Sequence, residues 1–170
     1  AGAIGQLAER YACIDLSRVG IFTHSYRSGL QNFLERQDLY KVCVQMMLFD
    51  NRMHITTYDG DRFEGCESHG DNKHYAEELV GNLQGKLLLM HVMNSVLSPS
   101  CPPAGTFRVV DALQKANKDF DLLILPNANN TVVNSYMIRQ ACDYLVKHLQ
   151  GEEPPKEFLF RESRTTILPE

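Results

Sequence analysis

Four short apolar runs dominate the sequence: VGIFT (19–23), YKVCVQMMLF (40–49), KLLLMH (86–91) and FDLLIL (120–125). Each is too short for a buried helix and lacks the alternation of a strand with one wet face, so each is expected to be a strand covered on both sides. Between them lie segments with helical spacing. IGQLAERY (4–11) predicts a short amphipathic helix. Residues 26–37 place Leu30, Phe33 and Leu34 on one face. Pro103 opens a helix that runs to Asn117 with Phe107, Val110 and Leu113 inside. Residues 133–149 repeat Tyr136, Met137, Ala141, Tyr144, Leu145 and His148 at helical spacing until Gly151, and Pro154-Pro155 blocks a restart. Apolar strands that alternate with helices form a parallel sheet with helices on both faces.

One stretch breaks the alternation. Residues 50–82 are polar, dotted with glycine, and hold three of the six histidines. They read as a long excursion with a helix near its end. Residues 1–150 are expected to form one domain, and 151–170 a tail that docks on a neighbour or stays mobile.

Charge and cysteine usage exclude several functions. A net charge of −4 gives no reason to expect nucleic-acid or anionic-membrane binding. No apolar run approaches the length of a membrane span. The start, AGAIGQLAER, has no basic stretch followed by an apolar one, so no signal peptide is expected there. The five cysteines, Cys13, Cys43, Cys66, Cys101 and Cys142, form no CxxC pair. Buried free thiols account for Cys43 and Cys142, which favours a reducing compartment such as the cytoplasm. Cys66, His69, Asp71 and His74 cluster as C-x2-H-x-D-x2-H. Zinc uses these residue types, but the spacing matches no zinc pattern, so no metal is assigned to them. No glycine-rich phosphate loop occurs, and no cofactor is expected.

The candidate chemistry lies in THSYRSG (23–29), where the first strand gives way to a helix. A serine on a sharp strand-to-helix turn is how many hydrolases present a nucleophile. The alternative is an ordinary helix N-cap serine, and the residues of the turn favour it. RVGIFTHSY (18–26), DNR (50–52), GKLLLMH (85–91), PPAGTFRVVDALQKANKDFDLLILPNAN (102–129) and CDYLVKHLQGEEPPKEF (142–158) together resemble the prolyl oligopeptidase family of serine peptidases, most of all its dipeptidyl-peptidase-IV-type members. They follow the family's order at nearly its spacing. The resemblance implies a truncated α/β-hydrolase-like three-layer sandwich of about four parallel strands, the last four of the hydrolase sheet.

It also implies a triad of serine, aspartate and histidine in that chain order. Ser25 matches the serine, and the Tyr26 backbone amide is positioned as one oxyanion donor. The family's Gly-His-Ser-Tyr-Gly-Gly is Thr23-His24-Ser25-Tyr26-Arg27-Ser28 here, so glycines are lost where the turn is tightest. Ser95 stands at the aspartate position, beside Asn94. Asn130, beside Asn129, stands at the histidine position. His24 matches a family histidine with a packing role. The implied reading is a pseudoenzyme kept for binding or assembly. The alternative is a serine hydrolase, or a repurposed pocket enzyme, whose base or missing half comes from a partner chain. A pocket of Ser25, Asn94, Ser95, Asn129 and Asn130, with Tyr26 beside it, would suit a small-molecule or peptide ligand.

In the full fold, the strand carrying Thr23 pairs on both sides. A bare strand edge invites aggregation. Another chain is therefore expected to cover 19–23, either a second copy in a two-fold homodimer or a separate subunit.

Overall fold

The computed structural model describes residues 2–26, 28–49, 75–93, 103–126, 135–156 and 158, with the backbone alone described for Ser25, Tyr26, Ser28 and Phe49. Four strands form one sheet in the order β1 (Val19–Tyr26), β2 (Tyr40–Phe49), β3 (Lys86–Val92) and β4 (Asp121–Leu125). All three pairings are parallel. The helices are α1 (Gly2–Arg10), α2 (Ser28–Glu35), α3 (Ala76–Leu79), α4 (Pro103–Lys115) and α5 (Ser135–Leu145), the last extended by a wider π-helical turn, Val146–Gln150. Gly151 closes that turn at φ 74°, a left-handed value that favours glycine, as the sequence predicts.

Alternation along β2 and β3 divides the core in two. Cys43, Leu87 and Leu89 face Leu30, Phe33 and Leu34 of α2 and Val109, Val110 and Leu113 of α4. Val44, Met46, Leu88, Met90 and Val92 face Met137 and Ala141 of α5. The connections β1–α2–β2 and β3–α4–β4 thus bring their helices to one face, and α5 covers the other. This is the three-layer arrangement expected.

Polar contacts lock the amino ends of the central strands. Gln37, just past α2, accepts from the Gln84 and Gly85 amides at 2.8 Å each and donates to the Phe33 carbonyl at 2.5 Å. One side chain therefore ties the end of α2 to the start of β3. A side chain at Gly85 would collide with the Lys41 carbonyl and meet the Phe33 ring, so glycine is required by close approach. At the start of β1, Asp15 accepts from the Ser17 amide and hydroxyl and from Arg18. Those bonds, the Ser17 hydroxyl first, hold its carboxyl at about 2.

Several sequence expectations need correction. β1 runs three residues beyond Thr23, and α2 begins at Ser28. Val110 and Leu113 lie inside as expected, but Phe107 is exposed, because Thr106 and Val109 complete the inner face of α4 in its place. Tyr136 is also exposed, with the Arg139 guanidinium 5.2 Å from its ring centre. Cys43 is buried, which pushes its thiol pKa up, but Cys142 is exposed because its neighbour Ala141 takes the inward position. In the tail, residues 151–156 and 158 adopt neither helix nor strand.

Candidate active site at the carboxyl ends of the strands

In a parallel sheet with these crossovers, the carboxyl ends of all strands open on one edge, and the helices that follow start there. Ser25 lies on that edge at the penultimate position of β1, and a single residue separates β1 from α2. An N-cap role for Ser25 does not fit this backbone, because α2 begins three residues later. Thr23 is accommodated in an unforeseen way. A Cβ on Gly29, in the first turn of α2, would lie 2.5 Å from the Thr23 Cβ. The close approach of strand and helix is thus preserved, with the glycine on the helix side. The signal was present in the sequence as the last residue of THSYRSG.

Opposite Ser25, β2 is irregular. His24 pairs with Met46 but Tyr26 pairs with Phe49, so β2 carries one extra residue across from Ser25. Met47 takes φ 45° there, a left-handed value uncommon for a residue with a side chain. The bulge turns consecutive residues to one face: Met46 and Met47 both join the core beneath α5, and Leu48 joins the opposite core. Both methionines are core residues, as the sequence suggests.

Two histidines flank this edge. His24 has an exposed side chain rather than a packed one, yet partial burial still lowers its pKa. His91, near the end of β3, is fully buried, and its Nδ1 lies 2.8 Å from the Thr106 hydroxyl of α4. The sequence reading passed over this pair, because nothing in the primary structure marks Thr106 as an inward position except its helical offset from Val110 and Leu113.

His148 lies at the other end of the sheet. Its ring packs at a tilt against Tyr144, with 4.3 Å between centres, and the Tyr144 hydroxyl donates to Asp121, the first residue of β4, at 2.9 Å. Lys86, the first residue of β3, is close enough to act on it electrostatically. Burial first, then Lys86 and Lys147, lower the His148 pKa. Burial and the bond to Asp121 raise that of Tyr144. Asp111, the first acid after β3, sits exposed on α4 and binds Lys115 at 2.7 Å. Asn94, Ser95, Asn129, Asn130, Arg27, residues 50–52 and the cluster of Cys66, His69, Asp71 and His74 lie outside the described residues. Among the described residues no helix is long and apolar enough to cross a membrane.

A parallel sheet with a serine beside a one-residue strand-to-helix connection is the arrangement that α/β-hydrolases use to present a nucleophile, and the superpositions below place this chain in that class of folds. The model of the Prolyl oligopeptidase family matches residues 2–152, and the chain belongs to that family. Among solved structures, Porphyromonas gingivalis dipeptidyl peptidase 4 superposes with a TM-score of 0.72 at 21% identity, covering 87% of this chain and 21% of its own. Pyrococcus horikoshii acylaminoacyl peptidase gives 0.71 at 14% identity, covering 89% of this chain and 27% of its own. At these identities the likeness is one of fold, and this chain corresponds to the C-terminal part of the hydrolase domain. The chain spans roughly a fifth to a quarter of the structures it matches. No curated protein matches it.

Proposed function

We propose that the chain is a catalytically degenerate member of its family. It keeps the triad serine as Ser25, carries Ser95 and Asn130 at the aspartate and histidine positions, and serves binding or assembly. The observation that supports this best is the location of His148. It is the sole histidine in the sequence after His91, and it packs against Tyr144 near the first residues of β3 and β4, at the opposite end of the sheet from Ser25. Asp111, the first acid after Lys86, is engaged with Lys115 on the outside of α4. An asparagine amide takes no proton near neutral pH, so Asn130 cannot act as general base. A polar, neutral pocket of Ser25, Asn94, Ser95, Asn129 and Asn130, with Tyr26 beside it, would hold a small molecule or peptide by hydrogen bonds.

The assembly part of the reading concerns β1. Among the described residues it pairs with β2 alone. Leu7, Tyr11, Leu16 and Phe22, all from the first 22 residues, are each more than 40% exposed. A second polypeptide covers this edge, and a second copy is the first occupant to test.

A second reading, an active serine hydrolase whose base comes from another chain, draws on the fit of Gly29 against Thr23, which keeps the turn tight. A fluorophosphonate probe separates the two. The degenerate reading expects no labelling of Ser25, alone or with a copurifying protein. Labelling that Ser25→Ala abolishes would overturn it.

A further inference from the structure

Gln45 is the one amide in the apolar run of β2, and it is 1% exposed. Its Nε2 donates at 3.1 Å to the carbonyl of Met46, the residue that immediately precedes left-handed Met47. Its Oε1 meets no hydrogen-bond partner among the described residues. A buried amide used on one side only is costly, and an apolar residue of the same length would pack here with no such cost. The bond that is made falls on the peptide where the ladder breaks and one extra residue opposes Ser25. Bulges beside functional sites re-aim what lies across from them.

We propose that Gln45 is a positioning residue. Its amide clamps the Met46 carbonyl, holds the Met47 bulge in place, and through the bulge sets the course of β1 at Ser25. The inference does not depend on whether Ser25 reacts, because it concerns the backbone that presents it.

Three NMR measurements on the chain test it. The first is on the wild type: an Nε2 proton of Gln45 exchanges slowly with solvent if it is clamped, and free exchange would overturn the proposal without any mutation. The second compares two variants through the Met47 HN–Hα coupling, which reports φ directly. Gln45→Met keeps the length and removes the donor, so Met47 moves to an extended value. Gln45→Glu stays protonated when buried, can donate to the same carbonyl, and keeps the left-handed value. The third is exchange of the Ser25 and Tyr26 amides, which accelerates roughly fivefold in Gln45→Met, the scale of one lost hydrogen bond. A Gln45→Met protein that keeps the Met47 coupling and the Ser25 exchange rate would reduce Gln45 to a space-filling core residue.

Discussion

β2 and β1 are neighbouring strands of similar apolar character, and the fold treats them differently. Every residue from Val42 to Leu48 is at most 1% exposed, whereas no described side chain of β1 is buried and Phe22 is 48% exposed. Composition makes both of them strands. Neighbours decide which is buried: β2 has a strand on each side and a helix on each face, while β1 has β2 on one side and the α5 end against Gly20, where an added Cβ would meet Leu149 and Leu145. Among the described residues β1 therefore has less cover than its composition would allow, and this is the difference on which the assembly proposal rests.

The sharpest way to break this contrast is through the core. Phe33 is fully buried against α3, α4 and the β2–β3 face, so Phe33→Ala should cost about 3–5 kcal/mol in urea unfolding. A loss below about 1 kcal/mol would mean the central layer is not the folding core. Next is the turn. Gly29→Ala drives a methyl into Thr23 and should cost about 1–3 kcal/mol, with Thr23→Gly in the same chain recovering part of it. Additive losses would show that the two residues do not share that space.

These two effects also show what was legible in the sequence. The four strands and the two-sided cover of β2 and β3 followed from the apolar runs, because long-range burial imposes a local composition, whereas the same expectation failed for β1 and β4, where Phe22 and Leu122 are exposed. The positions of α4 and α5 followed from Pro103 and Gly151. What escaped were features in which two distant residues share one constraint: Gly29 with Thr23, His91 with Thr106, and the bulge at Met47. A bulge adds no composition signal, since Met46 and Met47 are ordinary core residues taken singly. The end of β1 was misplaced because His24 and Ser25 are not typical strand formers, and the strand is carried past them by the pairing of His24 and Tyr26 with β2.

A smaller effect is expected from pH. Burial lowers the pKa of both His24 and His148 from the ordinary 6.5, so the native state binds fewer protons than the unfolded chain below that value. Stability therefore falls as pH drops from about 7 toward 5, a window in which ordinary carboxylates stay ionised. His148 faces Lys86 and Lys147, which add to this penalty, and Asp121, which opposes it. His148→Gln should flatten the slope of urea midpoint against pH. An unchanged slope would place the whole effect at His24 or in the segments outside the described residues.

The smallest expected change in stability is the one that bears most on function. Phe22→Lys puts a charge on a half-exposed site, and for the isolated chain it should alter unfolding by no more than about 0.5 kcal/mol. If another polypeptide covers β1, the same substitution places an ammonium group in that interface, where burial of an unpaired charge is strongly disfavoured. Sedimentation then reads a difference that urea does not: the wild type associates and the variant is monomeric at equal concentration. If wild type and variant are both monomeric and equally stable, the outer edge of β1 is tolerated in water and the assembly reading fails. If Phe22→Lys unfolds the isolated chain, Phe22 is a core residue after all, and the contrast between β1 and β2 disappears.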